Sequence, residues 1–323
     1  MSDYVSEDTR LALLLCAAFE KEKSERTLSS REYAAFCRAM KEKAVTASEL
    51  LEGAASDELA LSASLMPDRV RALLDRAVSL GFALEQWESQ GLWIYSVADA
   101  AYPVRYKSHL ADQAPPLLFG AGNLSLLEGG GLAMVGSRHV DPAGEGFTRE
   151  VAGLCAEEGM PVVSGGARGV DQISMRTAVE HGGVSLGVLA DSLLKRTLEE
   201  EARYLLGEGR LLLVSPFHPE AGFTVGTAMA RNKFIYALAD YGLVVSADHQ
   251  KGGTWAGAVE ELKRDHGRPV FVRTGEEVPP GNEALQALGA LPWPTPPYET
   301  SLMETLQQKS EDIPRAEQGS FDF

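Results

Sequence analysis

A doubly wound, mainly parallel α/β sheet with a helical domain before it is the fold this chain predicts. Three observations carry it. Apolar strand-like runs recur through residues 132–273 as LAMVG (132–136), PVVSG (161–165), VSLGVLA (184–190), RLLLV (210–214), GLVVSA (242–247) and RPVFV (268–272). They are apolar almost throughout, as strands covered on both faces are. Helical stretches separate most of them, namely 144–158, 171–181, 197–206, 224–239 and 254–266. Repeated β–α units of this length build a Rossmann-like sheet with helices on both faces. Several runs also break into glycine and then open a helix, which brings free backbone N–H groups to one sheet edge.

The elements on either side are of a different kind. Residues 8–90 read as helices. Leu11, Leu14, Leu15, Ala18 and Phe19 follow one helical stripe, and Val70, Leu73, Leu74, Ala77 and Val78 another. Ser29-x-x-Glu32 and Thr46-x-x-Glu49 have the form of capping boxes. Residues 98–130 have a Pro- and Gly-rich texture, with a short edge strand expected at Leu117–Phe119. The resulting division is a helical domain over 1–97, a Rossmann-like domain over 98–280 and a Pro-rich, acidic tail over 281–323 that is expected to be disordered.

Composition bounds the function. Hydrophobic residues make up 45% and charged residues 24% of the 323 positions, ordinary for a globular protein. No apolar run reaches the length of a membrane span, and the acidic start MSDYVSEDTR lacks a signal core, so a cytoplasmic protein without a membrane partner is expected. Cys16, Cys37 and Cys155 have no CxxC partner and read as buried, reduced thiols. The six histidines show no ligand spacing, so no metal or other cofactor is expected. The net charge of −16 weighs against a nucleic-acid binder, yet a basic groove can sit on an acidic body because a site is decided locally.

The turns carry the chemistry. Gly136-Ser137-Arg138 ends the first run, where backbone N–H groups, the Ser137 hydroxyl and Arg138 suit a phosphate. Ser164-Gly165-Gly166-Ala167-Arg168-Gly169-Val170-Asp171 follows the second, with Asp171 at an expected helix N-cap. An arginine inside such a loop is hard to explain by packing. Arg231-Asn232-Lys233 lies in a long helix whose Phe234, Ile235 and Leu238 suit the core, which leaves the triplet near the opposite face or in the helix's N-terminal half; a solvated helix face is the plain reading and a phosphate or base contact the functional one. Lys251-Gly252-Gly253-Thr254 opens another helix without the GxxxxGK[ST] pattern of a nucleotide triphosphatase. Asp141, Asp171, Asp191 and Asp248 lie near strand ends, where most aspartates cap turns, and no nucleophile elbow or paired acid cluster stands out. Several cationic turns on one edge fit a polyanion better than one small molecule.

Taken in order, Tyr102-Pro103, Pro115-Pro116-Leu117-Leu118-Phe119-x-Gly, Val135-Gly136-Ser137-Arg138, Val163 to Asp171 and Arg231-Asn232-Lys233 resemble the DNA-processing protein A (DprA/Smf) family. The resemblance covers over half of the chain. It implies a Rossmann-like core that binds single-stranded DNA without catalysis, serves DNA processing and recombination as a homodimer, and helps load a RecA-type recombinase. Carried over, Ser137, Arg138, Ser164, Gly165, Gly166, Arg168, Arg231, Asn232, Lys233, Gly252, Gly253 and Thr254 would line the DNA groove. The chain departs from the family at Ala228-Met229-Ala230, where Phe-Pro is usual, at Lys233 in place of an arginine, at Met175, near which a histidine is usual, and in lacking a winged-helix extension after residue 280. The end Gln318-Gly319-Ser320-Phe321-Asp322-Phe323 resembles peptides that dock on the bacterial sliding clamp through residues such as Gln318, Phe321 and Phe323. Two other readings stand beside this one. Lys251 to Thr254 with Glu260 and Glu261 resembles the glycine loop of phosphoribohydrolases, which implies a nucleotide sensor or nucleoside-monophosphate hydrolase. An adaptor with a vestigial groove is the third.

Overall fold

The computed structural model describes residues 4–19, 26–54, 56–275 and 277–311. Six helices come first: α1 (Glu7–Cys16), α2 (Ser30–Glu42), α3 (Ala47–Leu51), α4 (Asp57–Ser62), α5 (Pro67–Leu74) and α6 (Ala77–Ser89). Both capping boxes close as expected: Ser29 and Thr46 accept from the backbone three residues on, and Glu32 and Glu49 accept from the cap backbones in return. Helix α1 has Leu11 through Leu15 buried without a break, so it forms the centre of this unit rather than one wall of it. It stops at Cys16, before Ala18 and Phe19. The second expected stripe is split. Arg76 donates to the carbonyls of Leu73 and Leu14 between α5 and α6, and Val78 faces solvent.

The remaining elements are β1 (Trp93–Ser96), α7 (Val104–Leu110), β2 (Leu117–Gly122), β3 (Leu132–Gly136), α8 (Pro142–Glu157), β4 (Val162–Ser164), α9 (Val170–Glu180), β5 (Ser185–Val188), α10 (Leu193–Thr197), α11 (Glu200–Gly207), β6 (Leu211–Ser215), α12 (Val225–Leu238), β7 (Tyr241–Ser246), α13 (Gly252–Leu262), β8 (Val270–Val272), α14 (Pro280–Ala287), β9 (Leu291–Pro292) and α15 (Leu302–Glu311). Among the described residues, all nine strands form one sheet in the order β1-β2-β6-β5-β4-β3-β7-β8-β9. Pairing is parallel from β6 across to β9, and antiparallel for β1 with β2 and β2 with β6. The α/β doubly wound sheet predicted from the sequence is the fold observed. Its strand order reverses between β3 and β7, the switch point where such sheets bind ligands.

Three expectations need correction. The strand at Leu117 is not an edge: β1 lies outside it, four residues too short to give a period-two signal. The sheet therefore begins inside the segment assigned to the helical domain. One apolar cluster joins Leu13 and Phe36 of the helical unit to Phe119, Leu189 and Leu213 of the sheet, so the unit shares its core with the sheet face. The segment from 281 expected to be disordered carries α14, β9 and α15 up to Glu311. Among its prolines stand Leu285, Trp293, Leu302 and Leu306, all buried, and Trp293 packs edge-on to Phe147 and Phe271. A few apolar anchors hold a stretch whose average composition looks unfoldable. Gln318, Phe321 and Phe323 lie outside the described residues.

Candidate nucleic-acid interface

Parallel strands place the turns after β3, β4, β5 and β7 on one edge of the sheet. Gly169 (φ 79°) packs its Cα against the Ser137 carbonyl, where any side chain would overlap the main chain of the first turn. The Val170 N–H reaches the same carbonyl at 3.4 Å. Thr254 Oγ1 donates to the Gly136 carbonyl at 3.1 Å, and the Asn232 amide donates to the Gly253 carbonyl at 2.7 Å. The first, second and last glycine turns are thus braced against one another by short polar contacts.

Two cavities run along this edge. The first, about 340 Å³, lies at the switch point and takes Ser137, Arg138, Asp171, Arg231, Lys251, Gly252, Gly253 and Thr254 into its lining. The second, about 250 Å³, is lined by Gly165, Gly166, Arg168, Asp191 and Arg196 among others. Arg138, Ala167, Phe223, Ala228 and Arg231 line both, so the two form one trough. Arg138, Arg168 and Lys251 are exposed along it.

Arg231 stands apart from these three. It is 5% exposed, its Nη1 donates to the Val188 carbonyl at 2.9 Å, and Nη2 lies 3.8 Å from the Asp171 carboxylate. Its Nε has no hydrogen-bond partner among the described residues. Burial pulls this guanidinium below its ordinary pKa, with Asp171 acting in the other direction. Burial likewise pushes the Asp171 carboxyl up, against Arg231 and the backbone amides of Ala167 and Gly165. The plain reading of Arg231 and Asn232 as part of a solvated helix face therefore does not hold. The helix buries that face against β5 and the glycine loop, and the pair forms the trough's floor. Asp171 lies within the first turn of α9, whose N-cap is Gly169.

Two further positions fall elsewhere. Ser164 is fully buried, donates to the Met134 carbonyl at 2.6 Å and lines neither cavity. Lys233 extends away from the trough, with Nζ 3.4 Å from Gln113 Oε1 and 5.2 Å from the centre of the Phe234 ring. One residue C-terminal to Asn232, it is turned by about 100° around the helix. Glu260 and Glu261 also lie outside: Glu260 pairs with Arg264, and Glu261 is buried against His109. Asp141 caps α8 and pairs with Arg273, the turn-forming role most strand-end aspartates have. Sequence reasoning missed Arg196 and Phe223. Phe223 is an aromatic in the glycine-bearing loop before α12, which was its available signal.

Residues 93–290, more than half of the chain, match the family model for DNA recombination-mediator protein A. The chain belongs to this family. It is 32% identical to protein Smf of Escherichia coli K12 over 213 residues, which is 64% of this chain and 55% of that protein. It is 31% identical to the DNA processing protein DprA of Streptococcus pneumoniae over 186 residues, covering 56% of this chain and 62% of that one. The chain thus spans little more than half the length of these relatives. The solved structure of the S. pneumoniae DprA superposes with a TM-score of 0.71 at 22% identity, over 94% of this chain and 98% of that one. The Helicobacter pylori DNA processing protein A, solved for its single-stranded DNA binding mode, superposes with a TM-score of 0.53 at 23% identity, over 68% and 96% of the two chains. Both likenesses are of fold.

Proposed function

We propose that the trough binds single-stranded DNA without catalysing a reaction on it, and that the protein is a DNA-processing, recombination-mediator protein. The observation that carries this reading is the confluence of two cavities through Arg138 and Arg231, which joins cations from several turns into one continuous channel. Main-chain amides of the Gly252–Thr254 turn suit non-bridging phosphate oxygens, and Arg138, Arg168 and Lys251 supply fixed or mobile cations. An acidic body around a cationic channel restricts nucleic-acid contact to that channel. Family membership supports the mediator role, and with it delivery of the bound strand to a RecA-type recombinase in the cytoplasm by a homodimer. Clamp docking through Gln318, Phe321 and Phe323 is a separate extension of the same proposal. The positions of Glu260 and Glu261 outside the trough weigh against the hydrolase reading.

Titration of a fluorescent oligothymidylate at two salt concentrations tests the reading. Affinity is expected to fall steeply with salt. Absence of binding at low salt, or unchanged affinity in an Arg138→Ala, Arg168→Ala double variant, rejects it. Strong thermal stabilisation by a mononucleotide but not by the oligonucleotide would favour the nucleotide-sensor alternative.

A further inference from the structure

One loop holds two walls of the trough in place. Residues 216–224, between β6 and α12, include Phe223, which lines both cavities and has the Arg138 guanidinium 4.7 Å from its ring centre. The same loop secures the start of α10. The Ser192 N–H donates to the Ala221 carbonyl at 2.9 Å, and the Leu194 N–H donates to the Pro219 carbonyl at 3.0 Å. Ser192 has φ 55°, a left-handed conformation that a residue with a side chain keeps only where its surroundings impose it. Asp191 and Arg196, on either side of that start, line the second cavity. Arg138 and Arg196 thus take their positions from one short segment.

That segment is tied to the helical unit through His218. The His218 Nδ1 accepts from the Glu220 N–H at 3.1 Å, and the His218 carbonyl accepts from the Ala221 N–H at 2.9 Å. The ring packs edge-on to Trp87 of α6 with centroids 5.5 Å apart, and buried Trp87 packs edge-on to Phe119 of β2. A backbone N–H can only donate, so Nδ1 must keep its lone pair. An imidazolium has no lone pair on either nitrogen. The bond to the Glu220 amide and a charge on His218 therefore exclude each other. Burial pulls the ring below its ordinary value of 6.5, with Glu220 acting in the other direction. The fold thus favours the neutral ring, and the charged ring is reached only as pH falls below 6.5. On the neighbouring helices Glu85 and Glu88 of α6 and Lys195 of α10 are exposed, and Arg196 pairs with Glu199. Among the described residues Glu220 is the charged group that acts on the ring.

We propose that His218 is a positioning residue of the trough, which grips its strand while the ring is neutral and loosens when the ring is protonated. The neutral ring closes the loop against α6. The charged ring releases the Glu220 amide, and with it the hold on Arg138 and on the start of α10. The inference rests on the reading of the trough as a single-strand site. It gives the helical unit a part in that site, through Trp87, without any contact between that unit and the strand.

The experiment titrates full-length wild type, His218→Asn and His218→Phe with a fluorescent oligothymidylate from pH 8 to pH 5 at constant ionic strength. Asparagine accepts from the amide two residues on whatever the pH, and phenylalanine keeps a ring on Trp87 without an acceptor. Wild type and His218→Asn are expected to bind alike at pH 8. At pH 5 wild type is expected to bind about tenfold more weakly than His218→Asn, the scale of one lost charged hydrogen bond. Exposed His139 and His249 titrate in both proteins and drop out of the ratio. His218→Phe is expected to bind about tenfold more weakly than wild type already at pH 8, in a constant ratio to His218→Asn. The slope of log affinity against log salt is expected to fall by about 0.7 in acid for wild type relative to His218→Asn. Parallel pH profiles for wild type and His218→Asn overturn the inference. So does wild-type affinity in His218→Phe at pH 8, or a loss in acid that only follows the folded fraction measured by thermal melting. The Arg138→Ala, Arg168→Ala variant separates the two levels. If it weakens binding while the profiles stay parallel, the role of His218 falls and the trough stands; if it does not weaken binding, the trough itself falls.

Discussion

Gly165 and Arg231 occupy space that only a glycine permits them to share. A Cβ at position 165 would fall within the Arg231 guanidinium, which is held from its other side by the Val188 carbonyl and Asp171. The glycine loop is thus the lid of a buried arginine as well as part of the trough wall.

Gly165→Ala is expected to destabilise the protein by about 1–3 kcal/mol, because a buried, pinned side chain has no room to yield. It should also weaken oligonucleotide binding by displacing Arg231. Thermal melting and titration of the same variant check both. Gly146 is the control. It lies within α8 with open space around its Cα, so Gly146→Ala is expected to stabilise by about 0.5–1 kcal/mol. Equal melting temperatures for the two variants would refute the steric account.

Arg231→Met strands a buried carboxylate. Burial already holds Asp171 above its ordinary value of 3.8, so its proton favours the folded state, and that contribution is lost as pH rises through the raised folded value. Losing the arginine raises that value further. The variant is expected to lose about 3–5 kcal/mol near pH 8 and less near pH 5. Adding Asp171→Asn should restore most of the loss. Chemical denaturation at the two pH values measures it; a pH-independent loss would show that the carboxylate is not the cause.

Glu32 gives the opposite sign. Its hydrogen bonds with Arg69 hold the carboxyl at about 2, below its ordinary 4.5. The depressed value means that the pair stabilises the fold above pH 4.5 and that this stability is lost as pH falls toward 2. Glu32→Gln is therefore expected to melt below wild type at pH 7, with the gap closing by pH 2–3. A gap that persists in acid would show that the ionised Glu32–Arg69 pair is not its cause.

Each phosphate contact removed should lower the slope of log affinity against log salt by about 0.7 for a single strand. Arg138→Ala and Arg168→Ala are each expected to do so, and Lys233→Ala is not, because Lys233 points away from the trough. A slope change from Lys233→Ala alone would reverse the assignment of the wall.

The cationic turns were legible because glycine and arginine at a strand end leave a local signature at Gly136-Ser137-Arg138 and at Lys251 to Thr254. Arg231 was legible as a candidate and illegible in its placement. A helical wheel puts a guanidinium outside, since burying one is costly without a partner. Its partners, Asp171 and Val188, lie 60 and 43 positions away in sequence. Ser164 was misread for the same reason: its hydroxyl answers the Met134 carbonyl on the neighbouring strand.

By itself the sequence determined the alternation of strand and helix, the two capped helices near the start and the chemistry of each turn, because these depend on residues within one or two turns of chain. Tertiary structure alone decided that β1 and β2 run antiparallel along the sheet's edge, that Trp293 and Leu302 anchor a proline-rich stretch, and that Arg231 lies beneath the trough while Lys233 leaves it. Those outcomes depend on which surfaces meet across the sheet, and burial and ion pairing between distant segments leave no period in the chain to read.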